Sequence, residues 1–178
     1  MCNNIKDFNF VLMENLKNNL ERKLSELLGF TPQCNFNYNK ASDSYIFLLK
    51  GENEIYSFEF NFRILYESKE DVLRRYKINN QIVSKSKDDL TYIISEIKDI
   101  KYAIITFLFI KPQNTGIGKM IVDIFFEEIK IINKIENVYL NPKNTNAERF
   151  WDRIGFYDIK EEEARKVHGY NKVIIIKK

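Results

Sequence analysis

Histidine occurs once in this chain and cysteine twice, and that scarcity removes two kinds of site at the outset. His168 has no second histidine or cysteine near it, so it reads as a turn residue beside Gly169 and no metal-ligand set is spelled out. Cys2 and Cys34 read as two reduced thiols, not as a disulfide framework. Long hydrophobic runs are missing as well. No segment approaches the roughly 20 apolar residues that cross a bilayer, and Met1–Asp7 lacks the basic and apolar regions of an export leader. The expectation is a chain with no membrane partner, located in the cytoplasm. Neither sign of charge dominates: 28 Lys and Arg face 25 Asp and Glu, a net +3. The two signs are interleaved along the whole length, so no nucleic-acid footprint is expected. With six glycines and three prolines in 178 residues, no linker stands out, and a single domain is expected.

What the chain does have is periodicity. Apolar residues fall four apart at Phe8, Leu12, Leu16, Leu20, Leu24 and Leu28, the stripe of an amphipathic helix that Gly29 and Pro32 stop. Strand-like runs follow at Cys34–Tyr38 and Tyr45–Lys50, with a hairpin turn at Gly51–Glu54. From Tyr56 to Tyr66 large apolar residues alternate with Ser57, Glu59, Asn61 and Arg63, so one face is core and the other meets water or substrate. Ser68 with Asp71 and Ser86 with Asp89 have capping spacing, which predicts helices near 69–76 and 87–98. Ala103–Ile110 is a continuous apolar run, expected of a central strand covered on both faces. A helix from Ile117 to about Asn133, a strand at Val138–Leu140, a helix at Asn146–Ile154 stopped by Gly155, and a last strand at Val173–Ile176 complete the order. The fold class is α/β (α+β): a mixed, mostly antiparallel central sheet of about six to seven strands flanked by helices.

The chemistry is concentrated where the central strand turns into a helix, at Ile110-Lys111-Pro112-Gln113-Asn114-Thr115-Gly116-Ile117-Gly118-Lys119. Backbone N–H groups at a helix start have no intrahelical acceptor, and the helix dipole adds about half a positive charge there, so the position favours an anion such as phosphate. Glycine at 116 and 118 keeps side chains away from those donors and tolerates positive φ. Lys119 can add a charge-assisted contact. A Walker-type loop is disfavoured because Met120 stands where a magnesium-binding hydroxyl belongs, and a dinucleotide fold because the three-glycine pattern is incomplete.

A second stretch, Leu140 to Phe156, sets Asn144, Ala147, Phe150, Trp151 and Ile154 at helical offsets before Gly155-Phe156, and Thr145 with Glu148 can cap its helix. Together the two segments resemble the GCN5-related N-acetyltransferase (GNAT) family. Its first motif, Gln/Arg-x-x-Gly-x-Gly/Ala, matches Gln113, Gly116 and Gly118; its second matches Asn144, Ala147, Phe150, Gly155 and Phe156. The resemblance covers about residues 100–160. It implies acetyl-coenzyme A as co-substrate, bound by residues 101–178, with an acceptor side in the divergent residues 1–100. By that resemblance the Gln113–Lys119 turn, including Asn114, Thr115 and Ile117, holds the pyrophosphate. The backbone of Phe109 and Ile110 pairs with the pantetheine arm like an added strand, and Asn144 bonds the same arm, with Ala147 and Trp151 on the neighbouring helix.

The resemblance implies an N-acetyltransferase acting on a primary amine by direct attack. The alternatives are a catalytically silent acyl-coenzyme A-binding module and an acyltransferase with a longer acyl group or a hydroxyl acceptor. Trp151 stands where the family often has tyrosine, and an indole N–H cannot protonate a leaving thiolate. Pro112 and Gln113 are adjacent, whereas the family more often separates them. No general base is assigned; Glu59, Glu67 and Tyr157 are the candidates for deprotonating an amine of pKa near 10.4. The acceptor and the choice between monomer and homodimer stay open.

Overall fold

The computed structural model describes residues 3–67, 100–132, 135–159 and 170–176. The helices expected near 69–76 and 87–98, and His168, lie outside these residues. The described elements are helices α1 (Asn3–Leu28), α2 (Ile117–Ile131) and α3 (Thr145–Ile154), and strands β1 (Gln33–Asn39), β2 (Ser44–Glu52), β3 (Ser57–Glu67), β4 (Ile100–Lys111), β5 (Ile135–Leu140), β6 (Tyr157–Asp158) and β7 (Lys172–Ile175). The strands form one seven-stranded sheet in the order β1-β2-β3-β4-β5-β7-β6. Only β4 and β5 run parallel; the other neighbours are antiparallel. This is the expected fold class, and the mixed sheet with its helices agrees with the fold that the GNAT resemblance implies.

Each element forms for a local reason. The four-residue repeat of α1 buries Met13, Leu16, Leu20 and Leu24, and the helix stops where Gly29 takes a φ of 73° and its N–H bonds the Ser25 carbonyl. The β2–β3 turn falls two residues later than the sequence suggests. Asn53 makes it, its Oδ1 accepting from the N–H groups of Ile55 and Tyr56, a side chain that replaces a backbone partner. Gly51 stays in β2, because a Cβ there would meet the rings of Phe58 and Phe30 at 2.4 and 2.8 Å.

Helices α1 and α2 lie side by side over one face of the sheet. That face carries Phe47, Phe60 and Phe62, with Phe62 stacked on Phe47 and Phe125 of α2 packed on both Phe60 and Phe62 at centroid distances of 4.6–5.2 Å. Burying each such ring contributes about 1.5–3 kcal/mol. The buried Glu128 carboxylate of α2 is satisfied by Lys23 Nζ and Asn19 Nδ2 of α1, both at 2.9 Å, which fixes one helix against the other.

The opposite face differs from expectation along β4. Tyr102 to Ile105 are buried on both faces, as the apolar run predicts, but Phe107 and Phe109 are 44% and 46% exposed. The change coincides with a bulge. Asn61 of β3 faces Phe107 while Phe62 faces Ile105, so Thr106 has no opposite residue, and an extra residue in one strand bends it and sharpens its twist.

Candidate functional site

The bulge also marks where β4 leaves β5. Their parallel pairing runs from Lys101 to Ile104 on β4 and ends at Tyr139 on β5, whereas β4 continues to Lys111. Residues 105–111 therefore have no strand partner on that side among the described residues. The backbone of Phe109 and Ile110 lies in this open stretch. An unpaired strand edge offers a row of N–H and C=O groups to any extended amide-bearing chain.

The strand ends in the turn expected to hold an anion. Lys111–Pro112 is cis, and Asn114 and Gly116 take positive φ values of 63° and 81°. The Thr115 hydroxyl donates to the Pro112 carbonyl at 3.4 Å, closing the turn. Gly116 is the N-cap of α2, and no side chain caps the helix. Met120 N–H closes onto the Gly116 carbonyl at 3.2 Å; the N–H groups of Ile117, Gly118 and Lys119 precede it and have no acceptor within the helix. A Cβ built on Gly116 meets nothing within 4 Å, so the space beside this glycine at the helix start is open. Gln113, Asn114 and Thr115 are exposed around it. The Ile117 side chain turns the other way, into the core. Lys119 is exposed and ion-paired with Asp123 one turn on, so an incoming anion competes with Asp123 for it.

The two glycines serve different ends. At Gly118 a Cβ would lie 2.8 Å from the Ile110 side chain and 3.3 Å from the Phe150 ring. Here glycine is needed for close packing, not for access of phosphate to the backbone. That contact brings β4, α2 and α3 together: Ile110 and Gly118, on either side of the turn, meet Phe150 of the later helix at one point.

Helix α3 is closed at both ends by its own residues. Its N-cap is Asn144, whose Oδ1 accepts from Ala147 N–H at 2.9 Å, so Asn144 and not the expected Thr145–Glu148 pair supplies the cap. Gly155 ends the helix at a φ of 109°. Trp151 is 6% exposed and packs edge-to-face on Phe150 and Phe156 at 4.9 and 5.3 Å; the indole belongs to the core, and Ala147 and Phe150 are half-buried beside it. Lys172 of β7, 2% exposed, reaches Asp152 at 2.6 Å, Asp158 at 2.9 Å and Glu148 at 3.6 Å. Burial opposes its charge, but the hydrogen bonds to Asp152 and Asp158 outweigh it and hold the ammonium above the ordinary lysine range. No local spacing marks this lysine, because its partners lie 14 to 24 residues before it in the chain.

Of the candidate bases, Glu59 sits on the open face of β3. Asn61 Nδ2 donates to it at 2.8 Å and Lys50 lies at 3.3 Å. The Asn61 hydrogen bond first, and then Lys50, hold its carboxyl below the usual range. Gln33, Lys50, Glu59 and Phe109 form one row across four strands, and above this row, with Thr31 and Glu52, lies a depression of about 430 Å³. Tyr157 is exposed in β6, and Glu67 is the last residue of β3. Among the described residues there is no group of three or more His, Cys, Asp or Glu that would hold a metal ion, and no helix long and apolar enough to cross a membrane. Burial pushes the Cys34 thiol up to about 12, which leaves it unreactive.

No protein-family model matches the chain, and no curated protein matches it. Solved structures similar to it include a mutant of KacT, at 14% identity over 76% of this chain and 73% of that one with a TM-score of 0.42. AtaTR bound with AcCoA matches at 13% identity over 75% and 70%, TM-score 0.40. An agmatine N-acetyltransferase mutant in its apo form matches at 9% over 73% and 75%, TM-score 0.39.

Proposed function

We propose that this chain is an acyltransferase that takes acetyl-coenzyme A as co-substrate and acetylates a primary amine. The observation that carries the reading is the coincidence, at one end of β4, of an unpaired strand edge and an uncapped helix start with open space before it. The two features suit the two parts of the cofactor. The diphosphate takes the N–H groups of α2, with Gln113 to Thr115 and Lys119 around it. The amides of the pantetheine arm extend along residues 105–111 as a further strand, Phe109 and Ile110 among them, and Asn144 offers its remaining amide N–H₂ from the start of α3. A thioester placed there has a thiol leaving group of pKa about 8.5, so expulsion near neutral pH does not depend on a tyrosine at position 151. That accords with an indole turned into the core.

The reading takes in free amines and amines carried on a macromolecule, nucleic acid included. Isothermal titration with acetyl-coenzyme A tests the binding, and following thiol release with a panel of amines tests the transfer. Binding with no thiol release from any acceptor would identify a silent acyl-coenzyme A-binding module instead. Absence of heat at millimolar ligand would end both readings.

A further inference from the structure

The face of β3 turned away from α1 and α2 holds two polar groups without a hydrogen-bond partner. Asn61 Oδ1 and Arg63 Nε are both shut off from solvent and neither has a hydrogen-bond partner. Buried polar atoms are almost always paired, and an unpaired one costs stability that something must offset. The orientation of Asn61 is fixed by chemistry, since Glu59 can only accept and so takes the Nδ2 donor; Oδ1 is therefore the atom left over. One group is an acceptor and the other a donor carrying positive charge. They stand two residues apart on the same face, about 6.6 Å along a strand.

Among the described residues, their cross-strand neighbours are apolar. Asn61 lies between Leu48 of β2 and Phe107 of β4, and Arg63 between Ile46 and Ile104. Leu48, Phe107 and Phe109 are exposed large apolar residues. The depression of about 430 Å³ over the Lys50–Glu59–Phe109 row shares Phe109 with this patch and lies one register step beyond Leu48, Asn61 and Phe107. The bulge ties this face to the proposed thioester position. Thr106, two residues past the last β4–β5 pair at Ile104, donates its hydroxyl to the Asn61 carbonyl at 3.1 Å.

We infer that the amine acceptor also carries a carboxylate, in the manner of an amino acid with an apolar side chain. Binding displaces what covers the two shut-in atoms; the nitrogen is then received by Asn61 Oδ1, the carboxylate by the Arg63 guanidinium, and the side chain by Leu48, Phe107 and Phe109. This rests on the acetyltransferase reading above and specifies its substrate class. The ammonium first gives one proton to solvent. The neutral nitrogen then forms the C–N bond to the acetyl carbonyl carbon as the C–S bond breaks, and its second proton ends on the departing sulfur. Asn61 accepts a hydrogen bond from the nitrogen without taking a proton, and Arg63 fixes the position of the carboxylate; both are specificity residues, and neither is assigned a proton transfer.

The test compares an apolar L-amino acid with its methyl ester and with the corresponding decarboxylated amine, in thiol release at saturating acetyl-coenzyme A. The amino acid is expected to show a kcat/KM at least about tenfold above both analogues, the scale of one charge-assisted contact. Arg63→Leu should raise KM for the amino acid about tenfold or more, leave kcat within about threefold, and erase its advantage over the ester. Asn61→Leu should raise KM for all three compounds. In both variants the affinity for acetyl-coenzyme A should stay within about threefold of wild type, which also reports that the fold is intact. If Arg63→Leu does not fold, Arg63→Gln, which keeps a donor and loses the charge, must still reduce the preference for the acid. Ester or amine turned over as well as the acid, or a preference unchanged by the Arg63 substitutions, overturns this inference alone. Failure of acetyl-coenzyme A to bind wild type overturns the acetyltransferase reading on which it rests.

Discussion

Helices α2 and α3 both follow a strand of the same sheet, yet their first turns are finished differently. Helix α3 opens on Asn144, whose own side chain satisfies the Ala147 N–H, and it is held down further by Lys172. Helix α2 opens on a glycine with positive φ and has no side-chain cap. A capped start has spent its donors on the protein, whereas an uncapped start keeps them for something else. Where one chain does both within about 30 residues, the contrast supports placing the proposed anion site on α2, with α3 as a wall. It also separates two glycines that look alike in sequence: Gly116 faces open space, and Gly118 is a packing contact.

The largest expected effect breaks the contrast at its open end. Gly116→Glu puts a carboxylate before the free N–H groups, and it should weaken acetyl-coenzyme A binding by about 100-fold or more, roughly 2.7 kcal/mol by calorimetry. A side chain at φ 81° costs about 1–2 kcal/mol of its own, so Gly116→Asn is the control. Asparagine already adopts positive φ at Asn114, and that variant should bind within about tenfold of wild type. Wild-type affinity in Gly116→Glu would mean that the open end is not the anion site.

At the closed end, the asymmetry of burial around Lys172 predicts which removal costs more. Asp152→Asn with Asp158→Asn leaves a buried ammonium with only Glu148 at 3.6 Å, and should cost about 3–5 kcal/mol in denaturant unfolding. Lys172→Met leaves carboxylates that are 48% and 60% exposed, which water can solvate, and should cost less, about 1–3 kcal/mol. Because the folded-state pKa of Lys172 is raised above 10.5, its stabilisation is fully present below that pH and is lost only as pH rises through the higher folded value. The stability gap between wild type and Lys172→Met should therefore stay flat from neutral pH to about 10. A gap that closes below pH 9 would contradict the pairing.

Much of this architecture was legible in the residues. The four-residue repeat of α1, the alternation of β3 and the apolar run of β4 are direct consequences of which faces are buried, and both motif helices begin and end within two residues of their expected bounds. The sites of failure share a cause. The bulge at Thr106 depends on how β4 is registered against β3, and that register is not written in β4 alone; without it the run at 103–110 looks evenly buried, and the exposure of Phe107 and Phe109 is hidden. Asn61 and Arg63 read as an ordinary wet face, since only the assembled sheet shows that their polar atoms are shut in without partners. Gly118 and Lys172 owe their roles to contacts with Phe150 and with the acidic residues of α3 and β6, which no local spacing reveals. The reason for Gly118 can be checked directly. Gly118→Val should destabilise the fold by about 1–3 kcal/mol through overpacking against Ile110 and Phe150, visible as a lowered Tm without ligand.

The smallest expected effect is the most discriminating, because Asn144 has two functional ends. Its Oδ1 caps α3, and its Nδ2 is the group assigned to the pantetheine arm. Asn144→Ala removes both, costing about 1 kcal/mol of stability. Asn144→Asp keeps the capping acceptor and places a negative charge at a helix N-terminus, where it is favourable, while the donor disappears. If the arm lies along residues 105–111 and takes a hydrogen bond from Asn144, the aspartate variant should melt at or above the wild-type temperature and yet bind acetyl-coenzyme A about three- to tenfold more weakly, the worth of one neutral hydrogen bond. If affinity is unchanged in the aspartate variant, Asn144 is a cap and nothing more, and the two helix starts differ even more completely: α3 would then contribute only its packed face to the site, and every polar contact to the cofactor would have to come from β4 and α2.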